Sequence, residues 1–351
     1  MSSRIKFIDL ARGIGIILVV FGHAIVPEIR NSNSIFMNIY KYIYIFHMPL
    51  FFFISGYVFE INKGRYSDIK LFIKKKAKSL LLPYISFSII SYVVIALCLN
   101  INGLKDILIN AGYKVGNIGE SIYQILLCNN NIDKHIWFIY ALFFVMLFNI
   151  FIKNKSNIYG VVIICIWIII QLFGLNKYIP ATGEQIIKGI IFFIIGRNSI
   201  NILEKIRNNI GLNIFSFILF VIGCLLLVNY SSYISTLFKI LLNIITPLLG
   251  IIFIMFVSTL LELHTKKISS MIIKINKYVY EIYLMHQPFI VSGTAGIILK
   301  YLNLQDIIII CIVSLLGILI PIILYKFIII KSKLLMFILF GKNGEKNSER
   351  I

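Results

Sequence analysis

Charge is scarce in this sequence, and acidic charge is scarcer than basic charge. Only 14% of the 351 residues are charged, and 14 acidic residues stand against 34 Lys and Arg, a formal net charge of +20. A typical soluble domain carries about a quarter charged residues, whereas hydrophobic residues make up 59% of this chain. A soluble fold of this composition would expose far too much apolar surface, so the composition indicates a membrane protein.

Cysteine is also sparse, and its five residues follow no functional pattern. They are widely spaced, form no CxxC pair and mostly fall within apolar stretches: Cys98, Cys128, Cys165, Cys224 and Cys311. An odd and scattered set predicts neither a disulfide framework nor a structural zinc site. We therefore expect no metal in this protein.

Long apolar runs recur along the chain and predict an all-α fold. Runs of 17 to 25 residues are long enough to cross the hydrocarbon core as helices. We expect a polytopic helical bundle of about ten transmembrane helices, with a membrane domain at 1–334 and a short polar cytoplasmic tail at 335–351. The predicted spans lie near 7–27, 39–60, 80–101, 135–152, 159–175, 185–200, 211–229, 234–261, 276–299 and 306–330.

The basic residues are distributed as the positive-inside rule requires. With ten spans and both termini in the cytoplasm, 24 basic residues fall on cytoplasmic segments and nine on outer ones, and Arg12 lies in the membrane. Anionic lipid is the expected partner of the basic cytoplasmic loops, so no nucleic acid is needed to account for the net charge. The sequence predicts a multi-pass protein of the cell membrane with cytoplasmic N- and C-termini.

Two basic side chains lie inside the first predicted span. Arg12 and His23 are eleven residues apart, which is about three helical turns, so both side chains share one face about 16 Å apart. Buried ionisable residues usually line a working cavity. Arg12 is therefore a candidate anion-binding group and His23 a candidate proton-transfer group. Asp9 can pair with Arg12 at i, i+3, but it is too far along the helix to orient His23.

The four other histidines differ in their surroundings. His47 approaches the depth of His23 from the second span, and His286 lies near mid-membrane beside a proline that favours a kink, so both are possible cavity-lining residues. His135 begins the fourth span beside a tryptophan, which predicts an anchor at the membrane interface. His264 falls in a cytoplasmic loop.

The longest predicted extramembrane stretch runs from 102 to 134 on the outer side. Its segments KDILINAG and ESIYQILL are predicted to form short amphipathic pieces. They either rest on lipid or roof a site that opens outward.

Four segments resemble signature segments of the membrane acyltransferase-3 family. They occur in the family's order along nearly the whole chain: DLARGIGIILVVFGH, FHMPLFFFISGYVF, HIWFIYALFF and YEIYLMHQPF. Within the family, the sequence is similar to the fucose 4-O-acetylase-like and exopolysaccharide O-acetyltransferases. The resemblance implies transfer of an acyl group, usually acetyl, from cytoplasmic acyl-CoA to a hydroxyl of a cell-surface or lipid-linked glycan. Acetyl-CoA is then the expected donor substrate.

The resemblance also assigns expected roles to particular residues. Arg12 and His23 fall on the family's essential first-helix pair. The family's basic R-x-x-R motif before a Leu-Leu-x-Pro stretch is replaced here by KKKAKSLLLPY, in which Ser79 takes the place of the second Arg. Lys75 and Lys78 offer the pattern shifted by one residue, and lysine binds phosphate as a point charge. These residues are the expected acyl-CoA contacts.

Alternatives remain open on the sequence alone. His23 could act as a general base on the acceptor hydroxyl or form an acyl-histidine intermediate. A transporter or flippase of a lipid-linked sugar would also need buried charges and about ten helices. A signalling domain with a degenerate acyltransferase fold is a third possibility.

Overall fold

The structure is a computed structural model that describes residues 5–65, 68–110, 113, 115–129, 132–152 and 156–342. The regular structure in these ranges is helical, which confirms the predicted all-α class. The α-helices are α1 (Lys6–Ala24), α2 (Pro27–Ser32), α3 (Ser34–Ile61), α4 (Ile69–Lys76), α5 (Leu82–Cys98), α6 (Leu104–Asn110), α7 (Ile118–Leu126), α8 (Trp137–Ile152), α9 (Ser156–Leu172), α10 (Ala181–Asn198), α11 (Ile200–Ile206), α12 (Ile210–Asn229), α13 (Thr236–His264), α14 (Lys266–Asn276), α15 (Val279–Met285), α16 (Val291–Tyr301), α17 (Asp306–Phe327) and α18 (Lys333–Phe340).

These helices confirm a polytopic membrane bundle. In the described ranges, eight helices, counted with their continuous extensions, are long and apolar enough to cross a membrane. A ninth crossing is added if α10 and α11, which are bent by 73° at their junction, form one broken span. Every predicted span overlaps a helix, but α9 is a shorter apolar helix of 17 residues. The number ten therefore stays a prediction.

The first helix is surrounded by other helices. α1 packs against α3, α13, α14 and α17, and apolar side chains such as Leu10 and Ile16 are fully buried. Arg12 and His23 are half-buried on the same helix. Their polar groups thus lie within the protein bundle, where neighbouring helices can supply partners that lipid cannot.

α3 and α10 approach each other more closely than ordinary side chains allow. A Cβ atom added to Gly56 would lie 1.9 Å from the carbonyl oxygen of Phe193, and one added to Gly196 would lie 2.0 Å from that of Phe53. Small residues let the backbones of membrane helices come this close. The two reciprocal glycines set the distance between α3 and α10.

Two π-helical turns interrupt the long helices. Ala77–Leu81 joins α4 to α5, and His286–Ile290 joins α15 to α16. Within the second turn Gln287 leaves the helical conformation, with φ −120° and ψ 160°, and the Gln287–Pro288 peptide is cis. The break removes regular helical hydrogen bonding next to His286.

The predicted outer segment folds as two short helices, α6 and α7. The end of α7 is tied to the bundle, because Tyr84 Oη donates to the carbonyl oxygen of Ile125 at 2.6 Å and Tyr140 Oη donates to that of Leu126 at 3.2 Å. Thr182 Oγ1 donates to the carbonyl oxygen of Cys128 at 2.9 Å. This part of the segment is therefore anchored to protein and not only to lipid.

Candidate active site

A cavity of about 640 Å³ opens at the C-terminal end of α1. Its walls come from α1, α2, α3 and α10, from the residues just before α8, and from the break between α15 and α16. Tyr113, Ile132 and Lys134 of the 102–134 segment also line it. Of the two predicted alternatives for this segment, the one in which it roofs a site accounts for these contacts. Burial raises the pKa of the Tyr113 hydroxyl, which keeps it neutral.

His23 lies in this cavity and contacts a tyrosine on a neighbouring helix. Its Nδ1 is 3.1 Å from Tyr44 Oη, and the two ring centroids are 5.7 Å apart. Asp9 on the same helix is too far away to orient His23, and Tyr44 of α3 is a group from another helix that can do so. Tyr44 Oη also lies 3.4 Å from Nε2, so Nδ1 is the nearer of the two ring nitrogens. A hydrogen bond at one nitrogen leaves the lone pair of the other for proton transfer.

His286 packs directly against His23. The ring centroids are 5.1 Å apart, and His286 is fully buried at the helix break. Its Nδ1–H donates to the carbonyl oxygens of Ile282 at 3.0 Å and Tyr283 at 2.9 Å. Nε2 then carries the lone pair, and this atom is buried and has no hydrogen-bond partner among the described residues. An acceptor atom without a partner therefore lies beside His23.

His135 completes a cluster of three imidazoles and corrects the predicted interfacial anchor. Its ring centroid is 4.8 Å from that of His286 and 6.4 Å from that of His23. Its Nδ1 lies 2.6 Å from Oδ1 of Asp133, and its Nε2 lies 3.0 Å from the carbonyl oxygen of Tyr283. Both contacts are with oxygen atoms, which hold the ring of His135 in place on its two nitrogen sides.

Asp133 was not predicted as a site residue. It is 2% exposed, and Ser91 Oγ donates to its Oδ2 at 2.8 Å. A carboxylate rarely lies this deep unless it is paired. The spacing Asp133-x-His135 before a tryptophan was the available signal. The sequence does not single it out, because it lies at the end of the predicted outer segment 102–134.

His47 contacts Tyr44, the same residue that contacts His23. Its ring centroid is 4.7 Å from that of Tyr44, and its Nδ1–H donates to the carbonyl oxygen of Ile43 at 2.9 Å. His47 lines the cavity. It contributes to the wall beside Tyr44.

The expected donor residues are not among the residues that line this cavity. Arg12 is half-buried on α1, and Asp9 accepts a hydrogen bond from Asn276 Nδ2 at 2.8 Å. Asp9 was a possible cavity-lining residue, but it is not among the residues lining the described cavity. Lys75 is exposed on α4, and Lys78 Nζ lies 4.8 Å from the Phe337 ring centroid.

Helix α15 connects the region around Lys78 to the imidazole cluster. It packs against α1, and Tyr280 Oη on α15 donates to the carbonyl oxygen of Ser79, next to Lys78, at 2.5 Å. The neighbouring Glu281 pairs with Lys342 Nζ at 3.4 Å. The same helix leads into the break at His286, so one element links the basic region to the imidazole cluster.

Comparison with known families assigns the chain. The acyltransferase domain family matches residues 5–326, which is nearly the whole chain. The chain belongs to the acyltransferase-3 family. This membership implies an acyltransferase, with an acyl donor and an acceptor as substrates, and several helices of the chain are long and apolar enough to span the membrane. This membership favours the enzyme over the transporter that the composition left open.

A short stretch of this acyltransferase is also similar to a curated protein. It is 48% identical over 59 residues to "Nodulation protein NolL" of Sinorhizobium fredii (strain NBRC 101917 / NGR234). The similarity covers 16% of this chain and 16% of the relative. No solved structure matches the chain.

The chemistry available at the cavity is proton transfer between imidazoles and a bound hydroxyl. A cluster of histidines can also suggest a metal, but in the described part of the chain no group of three or more His, Cys, Asp or Glu side chains could hold an ion. Nδ1 of His286 and both nitrogens of His135 already contact protein oxygens. The contacts of these imidazoles are therefore with one another and with protein oxygen atoms.

Proposed function

We propose that this acyltransferase moves an acetyl group from acetyl-CoA to a hydroxyl of a cell-surface or lipid-linked glycan, with His23 as the catalytic residue. The observation that carries the proposal is the position of His23 in the cavity, with its ring against Tyr44 and His286. A half-buried histidine in a concave site beside oriented polar groups is suited to acid–base work.

The donor side of the proposal uses the N-terminal end of α1. The phosphates of acyl-CoA are polyanionic, and Arg12, Lys75 and Lys78 are the candidate counter-charges. Arg12 and His23 share a face of α1 about 16 Å apart, a distance that the extended arm of coenzyme A is suited to cover. The thioester would then reach His23 from the side opposite the cavity mouth.

In the proposed reaction the acceptor hydroxyl attacks the thioester directly, without an acyl-histidine intermediate. In the tautomer whose Nδ1–H donates to Tyr44 Oη, His23 Nε2 keeps a lone pair and accepts the proton of the glycan hydroxyl. The hydroxyl oxygen attacks the thioester carbonyl, the C–O ester bond forms, and the C–S bond breaks. The coenzyme A thiolate then takes the proton from His23, so atoms and charge balance. Tyr44 and His286 act as positioning residues for His23.

The acceptor side is suited to a sugar. Tyr40, Tyr44 and Trp137 line the cavity together with Gln185 and Gln287. Aromatic faces with a few polar groups are the usual surroundings of a bound small molecule. The predicted topology puts this mouth on the outer side, with both termini in the cytoplasm, so donor and acceptor would enter from opposite sides of the membrane.

The test uses purified full-length protein in lipid nanodiscs with acetyl-CoA labelled in the acetyl group. Glycan fractions from the cell surface and lipid-linked sugars are offered separately as acceptors. We expect label to appear in a glycan fraction and to be released by mild alkali, because an O-ester is alkali-labile. Label that stays in acetyl-CoA with every glycan, while transport of a labelled lipid-linked sugar is observed, would contradict the proposal.

A further inference from the structure

We propose that the glycan acceptor carries an anionic group, a carboxylate or a phosphate, which Arg30, Lys134 and Lys188 hold in the cavity. The proposal rests on the proposed function, because it names the class of acceptor for the same site. Three cationic side chains come from three separate elements, α2, the turn before α8, and α10, and all three line the cavity.

Of the three cations, Arg30 acts on the proposed catalytic histidine, and the two lysines share its cavity. Arg30 Cζ lies 4.5 Å from the Tyr40 ring centroid, and its charge acts electrostatically on His23 and Tyr44. Lys188 is half-buried on α10, across the cavity from α1. A half-buried lysine facing a cavity favours an anion as its occupant, because burial weakens the solvation of its charge.

No carboxylate lines the described cavity with these cations. Asp133, beside Lys134 in sequence, contacts His135 and accepts from Ser91. Glu184, one turn before Lys188, accepts from Gln171 Nε2 at 2.8 Å. Glu184 also acts electrostatically on Lys188, so it offsets part of that charge from outside the lining. The lining itself carries three cationic side chains and no carboxylate, and a negatively charged ligand would balance the remaining charge.

Neutral groups in the same cavity are suited to the sugar part of such a ligand. Gln185 Oε1 is buried and has no hydrogen-bond partner among the described residues, so it can accept from a sugar hydroxyl. Trp137 and Tyr40 provide ring faces in the same lining. A ligand with hydroxyls, an apolar ring face and one anionic group matches this set better than a neutral sugar.

Coenzyme A phosphates are a less suitable occupant of this site. The cations lie at the C-terminal end of α1, about 16 Å along the helix from Arg12. Lys75 and Lys78 do not line the cavity, and the predicted topology puts them, like Arg12, towards the cytoplasmic side. Donor phosphates would therefore bind there, and the cavity cations remain for the acceptor.

Trp137 offers a binding assay that does not depend on transfer activity. The chain has two tryptophans, and Trp167 is 3% exposed in a separate apolar cluster. In a Trp167→Phe background, the emission of Trp137 reports on the cavity. The probes are an oligogalacturonate, its carboxyl-reduced neutral counterpart, and a polyprenyl pyrophosphoryl sugar, each titrated into full-length protein in nanodiscs.

We expect saturable quenching by at least one anionic probe, with the neutral oligosaccharide binding at least about tenfold more weakly. Arg30→Gln and Lys188→Gln should each weaken anionic binding about tenfold, as expected for lost charge-assisted hydrogen bonds. The matched control is Lys300→Gln, an exposed lysine that also lies over a tyrosine ring but outside the cavity, and it should bind like the parent. Binding should also weaken as salt is raised in the unsubstituted protein.

The outcomes separate the sources of charge and the two proposals. Quenching by the oligogalacturonate indicates a sugar carboxylate, and quenching only by the pyrophosphoryl sugar indicates a lipid-linked phosphate. Equal binding of the neutral probe, salt-independent binding, or no binding of any anionic probe would overturn the anionic acceptor. Normal anionic binding without acetyl transfer would instead count against the proposed function alone.

Discussion

The contact between α3 and α10 gives a prediction whose size follows from the structure. In Gly196→Ala the new methyl group would lie 2.0 Å from the carbonyl oxygen of Phe53, whereas real Cβ atoms essentially never come within 3.0 Å of another heavy atom. The obstacle is backbone, so no side-chain rotation relieves it. The helices must move apart by about 1 Å, and overpacking of this kind costs about 1–3 kcal/mol in the free energy of unfolding.

The displacement also reaches the cavity. α3 carries Tyr44 and His47, and α10 carries Lys188, so the change separates two of its walls. A displacement of about 1 Å can lower a reaction rate about 100-fold when it moves reacting groups apart. Gly196→Ala should therefore lower both the thermal unfolding temperature and the rate of acetyl transfer.

The assay is thermal unfolding in nanodiscs combined with the transfer rate. Gly293→Ala is the matched control, because a Cβ atom there meets nothing within 4 Å in α16. Replacing this helical glycine by alanine should stabilise the protein by about 0.5–1 kcal/mol. If Gly196→Ala unfolds at the same temperature as the parent or above it, the close backbone contact between α3 and α10 is contradicted.

Three further predictions concern the site and the topology. Lys75→Ala with Lys78→Ala should weaken acyl-CoA binding, measured by isothermal titration, because phosphates lose counter-charges; unchanged affinity would assign this run to membrane orientation alone. Asp133→Asn should lower the unfolding temperature, because an amide nitrogen replaces one of the carboxylate oxygens that contact His135 and Ser91, and a buried group left without its partner costs about 1–3 kcal/mol; an unaltered temperature would contradict these contacts. Single cysteines placed in 102–134 should react with an impermeant maleimide added outside cells, while those in 63–78 should not; the reverse pattern would invert the topology.

The general architecture could be predicted because it depends on local composition. Apolar runs of sufficient length give the helices directly. The eleven-residue spacing also fixed the relation between Arg12 and His23, because a helix has a constant period. The proline after His286 marked the place where the helix breaks, since proline cannot continue helical hydrogen bonding.

The composition of the site could not be predicted to the same degree, because it depends on which helices are neighbours. The contact of His135 with His286 joins segments 151 positions apart in the chain, and no periodicity in the fourth span indicates it. Tyr44 beside His23 is a similar case. The reciprocal contact of Gly56 and Gly196 likewise appears only when α3 and α10 are placed side by side.

The cavity cations show a further limit of sequence reasoning. Lys188 lies in an apolar run, in which a single lysine indicates the end of a helix at the outer surface. Arg30 follows the first span, where a basic residue is common at the interface. Their shared chemistry becomes visible only when the three-dimensional arrangement shows both lining one space with His23.

The central claim is that His23 acts on the acceptor during transfer, and a single variant tests it most directly. In His23→Ala, acetyl transfer from labelled acetyl-CoA should be lost while acyl-CoA affinity and the unfolding temperature stay near parental values, because the role lies in the transition state. His264→Ala, which removes an exposed histidine at the end of α13, is the control and should transfer normally. A folded His23→Ala protein that acetylates its glycan at the parental rate would contradict the account.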